Sequence, residues 1–156
     1  MKKIVLTSLI AICFATISFS QNYNTGIGLR AGYYNGLTLK HFLSPNTAFE
    51  GIISTRWQGV DVTGLYEVQN SFLGSDGLDW YIGFGGHIGF WNGDHAAWGT
   101  PGTNYSVVGV DGILGLEYSF REIPINMSID WKPTLNLLGY TGLWTDGGAF
   151  SIRYIF

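Results

Sequence analysis

From residue 24 onward, large apolar residues alternate with polar, charged or glycine residues along most of the chain. In 125–132, the odd positions are Ile, Met, Ile and Trp, and the even positions are Asn, Ser, Asp and Lys. A period of two is typical of β-strands whose two faces meet different surroundings. The pattern predicts eight strands, over residues 24–34, 36–43, 48–58, 60–69, 78–91, 105–119, 125–136 and 148–156.

Turn-forming residues separate these segments. Asn35 and Gly36 suit a tight hairpin, 44–46 (Ser-Pro-Asn) a turn, and 146–148 (Asp-Gly-Gly) the entry to the last strand. Longer loops are predicted from Asn92 to Asn104 and from Leu137 to Gly147, and no segment after the first 20 residues has convincing helical periodicity. The sequence therefore predicts an all-β fold, an eight-stranded antiparallel up-and-down barrel.

The charged residues of the predicted strands all share the polar face. Since the polar and apolar faces of a barrel strand point to opposite sides of the wall, these side chains meet in one place. We predict that they form a polar salt-bridge network inside the barrel. Its predicted members are Arg30, Lys40, Glu50, Arg56, Asp61, Glu67, His87, Asp111, Glu117, Asp130, Lys132 and Arg153.

Alternation alone leaves open which face points outward. A soluble lipocalin-like or streptavidin-like barrel keeps its apolar face inside, where it binds an apolar ligand, whereas a membrane barrel reverses this arrangement. The apolar face carries many bulky aromatic residues and the polar face many glycines, which suits a crowded polar interior and favours the transmembrane arrangement. Aromatic residues near the strand ends predict girdles at the two lipid interfaces, formed by Tyr33, Trp57, Trp80, Trp131 and Tyr154.

Residues 1–20 predict a cleaved secretory signal peptide, in which Lys2 and Lys3 precede a short apolar run ending in small residues. A membrane anchor is the alternative, but the run is shorter than the ~20 residues that a spanning helix needs. Cleavage would remove Cys13, the single cysteine, so disulfides and thiol chemistry are not expected in the mature chain. One barrel domain is predicted for 21–156.

Composition and charge exclude other classes. Charged residues make up 12% of the chain, against about 25% in an ordinary soluble domain. Loss of Lys2 and Lys3 with the signal changes the net charge from −3 to −5, which disfavours nucleic acid as a partner. Since no later segment has about 18 unbroken apolar residues, a membrane protein of this sequence would be a barrel and not a helical bundle.

With its signal peptide, eight alternating segments and terminal aromatic strand, the chain resembles the small OmpA/OmpX-type outer-membrane β-barrels. In that family, a last strand with alternating apolar residues and a terminal aromatic is the signal read by the outer-membrane barrel assembly machinery. The matching residues here are Ile152, Tyr154 and Phe156. The resemblance implies a monomer in outer-membrane lipid of a Gram-negative-type cell, with a structural or surface-interaction role. The minimal predicted outer connections, at 35–36 and 58–59, make adhesion through long loops less expected.

An eight-stranded barrel is just filled by its interior side chains, so we predict a closed lumen, with a gated conduit for protons or small ions as the alternative. His41, His87 and His95 are scattered without metal-ligand spacing, so neither a metal nor a cofactor is predicted. The enzyme alternative is a lipid A acyltransferase or deacylase. It would have to use Asp94, His95 and Ser106 at the rim, although adjacency in sequence is weak support for a catalytic site. We therefore expect no enzymatic activity.

Overall fold

The computed structural model of the chain describes residues 24–72 and 76–156. The predicted signal peptide, residues 1–20, lies outside the described residues and stays a prediction. The described part is all-β, and none of it forms a helix long and apolar enough to cross a membrane.

Ten strand segments build one sheet. They are β1 (Thr25–Gly32), β2 (Asn35–Ser44), β3 (Thr47–Arg56), β4 (Gly59–Ser71), β5 (Leu78–Asn92), β6 (Asn104–Ser119), β7 (Ile125–Trp131), β8 (Thr134–Leu138), β9 (Gly142–Trp144) and β10 (Gly148–Ile155). β7 and β8 follow one another along β6 and form the seventh strand of the barrel. β9 and β10 pair with β8 and β7, respectively, and form the eighth.

Every neighbouring pair is antiparallel, and the sheet closes on itself. β1 pairs with β2 on one edge and with β10 on the other, while β5 pairs with both β4 and β6. This is the closed eight-stranded antiparallel barrel that the alternating pattern predicts. Closure leaves no long unpaired edge in the described sheet, which is how barrels avoid the edge-to-edge aggregation of open sheets.

The seventh strand was predicted as one continuous segment over 125–136, but in the structure it is divided in two. Pro133 has no N–H and cannot donate to the ladder, so the strand divides into β7 and β8 on either side of it. The eighth strand is interrupted beside it, where Lys132 N donates to Gly147 O at 3.0 Å. The predicted loop from Leu137 to Gly147 is also partly strand, because β8 ends at Leu138 and β9 within the loop pairs with β8.

Burial follows the alternation, with charged side chains inside and apolar side chains outside. Leu29, Phe84 and Ile129 on the outer wall are 62%, 70% and 62% exposed. The interior is crowded as predicted: a Cβ on Gly115 would lie 2.5 Å from the Tyr81 ring. The interior of the described barrel is therefore not the apolar ligand cavity of a lipocalin-like or streptavidin-like barrel.

The two ends of the barrel differ. We call the loop end the one formed by the connections 33–34, 57–58 and 93–103 together with the β8–β9 hairpin. The terminus end carries the first and last described residues and the connections 45–46 and 120–124. The longest described connection, 93–103, lies at the loop end, and a cluster of aromatic side chains gathers there.

Candidate functional site

The interior of the barrel carries most of the chain's buried charge. Among the described residues, four basic and six acidic side chains are at most 5% exposed. The basic ones are Arg30, Lys40, Lys132 and Arg153, and the acidic ones are Glu50, Asp61, Glu67, Asp111, Glu117 and Asp130. Charges removed from water at this scale need partners, because an unpaired buried charge costs several kcal/mol.

Arg153, projecting from β10, crosses the barrel to β3. Its guanidinium forms a buried ion pair with Glu50 and also donates to Ser128 Oγ at 2.9 Å and Asn126 Oδ1 at 3.2 Å. Glu117 lies 3.6 Å away on its other side. One fully buried cation thus joins strands from opposite parts of the wall.

Lys40 extends this cluster toward the terminus end. Its ammonium lies 2.8 Å from Glu117 and 3.0 Å from Glu67, and it donates to Gln69 Oε1 at 3.0 Å. The Tyr81 ring centroid lies 4.3 Å from the same nitrogen, within cation–π range. The cluster therefore satisfies this cation through two carboxylates, an amide and a ring.

A second interior group contains the ion pair of Arg30 with Asp130. The guanidinium bonds both carboxylate oxygens, and Tyr81 donates its hydroxyl to the same carboxylate at 3.0 Å. Since β1 and β7 are separated by β10, this bidentate pair reaches across one intervening strand. Planar fork-to-carboxylate bonding fixes geometry as well as charge.

Nearer the loop end, Asp111 is the centre of a third group. It accepts from Lys132 Nζ at 2.8 Å and from Thr134 Oγ1 at 2.7 Å, and it lies 2.8 Å from His87 Nδ1. The other His87 nitrogen lies 3.0 Å from Asn136 Oδ1. Both ring nitrogens are therefore engaged, and none of the residues 24–72 and 76–156 forms a group of three or more potential metal ligands.

Two network residues stand somewhat apart from these groups. Asp61 is buried and accepts from Thr63 Oγ1 at 2.8 Å. Arg56 lies at the rim of the loop end, where its side chain remains 11% exposed. With these placements, the structure brings the residues of the predicted polar network into the interior or its rim, and the packed side chains leave no open pore along the described barrel.

An aromatic cluster caps the interior at the loop end. Trp91 is buried at its centre, donates Nε1–H to Arg56 O at 3.1 Å, and lies so close to Gly59 that no side chain fits there. Ring centroids lie 5.9 Å apart for Trp91 and Trp144 and 6.0 Å for Trp91 and Trp98, in edge-to-face geometry. The cluster is completed by Trp57, Trp98, Tyr105, Tyr140 and Trp144.

Trp57 enters this cluster from a strained turn. It and Gln58 form the two-residue connection between β3 and β4, with φ angles of 50° and 58°. Two-residue hairpins with positive φ at both positions favour Asn and Gly, and a bulky residue there is an outlier. Such a backbone costs about 1–3 kcal/mol per residue and is found where the surroundings, often a functional site, hold it in place.

Arg56 and Asp146 form an ion pair beside this turn. The guanidinium donates to both carboxylate oxygens, at 2.7 and 3.2 Å, and its central carbon lies 3.9 Å from the Trp57 ring centroid. This hydrogen bonding lowers the pKa of Asp146 below its ordinary value. Burial raises the pKa of the neighbouring Tyr34 hydroxyl to about 12, so that group is neutral at physiological pH.

An open notch of about 760 Å³ lies at the same rim. The β1–β2 hairpin turns at the level where β10 begins, since Gly32 lies opposite Ala149, whereas the β8–β9 hairpin extends beyond that level. The side chains that line it include Tyr33, Asn35, Thr55, Arg56 and Trp57. Its size lies in the range of small-ligand sites.

The remaining residues singled out by sequence lie elsewhere. Ile152 and Phe156 face outward at the terminus end, 36% and 55% exposed. Asp94 caps its own loop by accepting from Gly102 N at 2.8 Å, while His95 and Ser106 are exposed. The residues proposed for a catalytic rim cluster form no hydrogen bond to one another in the described part of the chain.

Sequence reasoning missed the aromatic cap and the Arg56–Asp146 pair. Trp91 was on the interior face by parity, but Trp98, Tyr140 and Trp144 come from predicted loops, where period-two alternation carries no information. The available signal was composition, since residues 91–105 and 140–144 contain four Trp and Tyr side chains besides Trp91, and all four join the cluster: Trp98, Tyr105, Tyr140 and Trp144.

No protein-family model matches the chain, and no curated protein matches it at a significant level of similarity.

Proposed function

We propose that the protein is a monomeric outer-membrane barrel with a structural or surface-interaction role and a non-conducting lumen. The observation that carries the proposal is the orientation of the wall, with charge buried inside and a continuous apolar surface outside. Soluble monomers rarely expose apolar patches larger than a few hundred Å². An outer wall of Leu, Ile, Val and Phe side chains on all strands is the surface that lipid would cover.

Aromatic side chains at the two ends of the wall support the same proposal. Trp131, at the loop end, is 47% exposed, and Tyr118 at the terminus end is 42% exposed. Amphipathic rings at these heights suit the two interfaces between lipid and water. The terminal strand, which resembles the assembly signal of OmpA/OmpX-type barrels, supports delivery by the barrel assembly machinery.

The interior supports a role that does not involve conduction. Arg153, Lys40 and Lys132 each contact at least one carboxylate within 3.0 Å, so an ion entering the lumen would have to displace these bonds. The aromatic cap closes the loop end above them. We therefore infer a role at the membrane surface or in the wall of the envelope, without transport or catalysis.

Membrane insertion is tested by refolding residues 21–156 into detergent and into lipid vesicles. We expect an unboiled sample to migrate differently from a boiled one on a gel, and the protein to precipitate in plain buffer. A folded protein that stays in solution without detergent would contradict the proposal. Fractionation of the producing cells then tests the location, since the protein should follow the outer membrane.

Closure is tested separately in planar bilayers. The refolded barrel should produce no discrete current steps, because its buried ion pairs occupy the path. Stable unitary conductance from samples that show the heat-dependent gel shift would refute the closed lumen while leaving the membrane barrel intact.

A further inference from the structure

The notch at the loop end combines features that the closed barrel does not need. Tyr33 is 60% exposed on one side, and the Trp57 ring lies beside the Arg56 guanidinium on the other. Asn35 and Thr55 add an amide and a hydroxyl to the same lining. The notch is open to solvent, and it shares its aromatic walls and few polar groups with small-ligand sites.

The charges of the notch select the class of ligand. Arg56 and Asp146 neutralise one another through two hydrogen bonds. An anionic ligand would have to compete with Asp146 for the guanidinium, and a cationic one with Arg56 for the carboxylate. A neutral ligand can bind while the ion pair stays intact.

The polar groups of the notch offer both donors and acceptors. Arg56 has five N–H donors, of which Asp146 takes two and the Tyr34 hydroxyl engages a further one, and Asp146 keeps lone pairs that can accept. Asn35 Oδ1 accepts from Gly32 N at 3.2 Å, which directs its other end away from the backbone. The hydroxyl groups of a sugar both donate and accept hydrogen bonds, so a sugar needs donors and acceptors in its site. The C–H face of the sugar ring packs against the negative face of an aromatic ring.

The strained turn at 57–58 supports a ligand site independently of the side chains that line the notch. The backbone of Trp57 has a φ of 50°, at a position where Asn would be unstrained. A residue that only closed the hairpin would not have to be a tryptophan. Its ring contributes to the notch and to the edge-to-face contact with Trp144, 6.1 Å away. Strain at a ligand site is a known use of such outliers.

We propose that this notch, lined by Tyr33, Asn35, Arg56 and Trp57, with Asp146 paired to Arg56, binds a neutral saccharide. The sugar ring stacks on the Trp57 or Tyr33 side chain, and its hydroxyls bond to the Arg56–Asp146 pair. The inference rests on the proposed function only in taking the loop end to face water outside the lipid.

The test uses the refolded barrel in lauryldimethylamine oxide, a detergent without a sugar headgroup, because alkyl glycosides would compete for the notch. Fluorescently labelled protein is applied to an array of neutral, acidic and amino-sugar oligosaccharides. Any neutral glycan that binds is then titrated by tryptophan fluorescence against three variants: Trp57→Asn, Gln58→Asn and Asp146→Asn. Asn suits the left-handed backbone at 57 and 58, so the first two variants keep the hairpin. Only Trp57→Asn loses the Trp57 ring.

We expect binding to neutral glycans, weakened about tenfold by Trp57→Asn, which is the order of one lost aromatic contact. Gln58→Asn should leave the affinity unchanged, and Asp146→Asn should weaken neutral binding while allowing acidic glycans to bind. Binding of acidic glycans alone by the native protein, equal binding by Trp57→Asn, or no binding to any neutral glycan would overturn the proposal. Gel mobility of the same samples reports on the barrel separately, so lost binding in a folded sample counts against the notch alone.

Discussion

The lumen and the loop end are both closed by packed side chains, but they are closed by different chemistry. In the lumen, side chains from regular strands pair as opposite charges, as with Arg153 and Glu50 or Lys132 and Asp111. At the loop end, rings from separate connections meet edge to face around Trp91, and one ion pair remains partly exposed at the rim. Strand parity determines the first arrangement, whereas the lengths and conformations of loops determine the second.

This difference assigns different roles to the two regions. A buried ion-pair network is costly to assemble and to disturb, because every charge depends on partners from other strands. The loop end tolerates exposure, and a strained turn and an open notch lie there together. We therefore expect the lumen to govern stability and closure, and the loop end to govern recognition.

Arg153→Ala should produce the largest loss of stability. Removing this cation leaves Glu50 buried without its main partner, at a cost of about 3–5 kcal/mol. Urea unfolding in vesicles, followed by the gel shift, measures the change. The control is Arg121→Ala, which removes the ion pair between Arg121 and Asp76. Because these two side chains are 66% and 78% exposed, the loss should cost at most about 1 kcal/mol. Equal losses for the two variants would contradict the distinction between paired lumen and surface.

Trp91→Ala should be the next most damaging change, since truncating a buried Trp typically costs about 3–5 kcal/mol and this one lies near the rim. It removes the centre of the aromatic cap and a hydrogen bond to the Arg56 carbonyl. Planar-bilayer recordings should nevertheless show no conductance, because the ion pairs below remain. Discrete currents from folded Trp91→Ala protein would show that the cap, and not the lumen network, closes the barrel.

Gln58→Gly should raise stability by up to about 1 kcal/mol, because glycine adopts the observed φ of 58° without strain. The urea midpoint of the variant, beside that of Gln58→Ala, measures the effect. Ala has a Cβ and should give no comparable gain. If both variants behave like the native chain, the turn is not under strain.

Asp146→Asn should have the smallest effect on the free energy of unfolding. The loss should be seen near neutral pH and should disappear at acidic pH. The pKa of Asp146 is lower in the folded protein than in the unfolded chain. Its contribution is therefore complete above the unfolded pKa and is lost as pH falls through the folded one. Since the carboxylate is 39% exposed, we expect no more than about 0.5 kcal/mol near neutral pH. Denaturant titrations of both proteins at neutral and strongly acidic pH should converge at the acidic end.

Much of the barrel could be predicted from the sequence, because alternation at period two determines which side of the wall each strand residue faces. The alternation does not determine which charged side chains form ion pairs. Parity places Arg30 in the lumen, but strand register and the position of β7 decide that Arg30 meets Asp130. Pro133 was a readable signal for the break between β7 and β8. The left-handed conformation of Trp57 had no such signal, since neither it nor Gln58 is a residue typical of that turn.

The pairing of β1 with β10 has a consequence for how the molecule folds. Hydrogen bonds at this seam join residues more than a hundred positions apart, as between Thr25 and Phe156. Contacts so distant in sequence form late, because the entropy of closing the intervening chain must be overcome first. Arg30 on β1 and Arg153 on β10 both reach carboxylates on other strands. We therefore expect docking of the seam and dehydration of these charges to be one cooperative event late in folding.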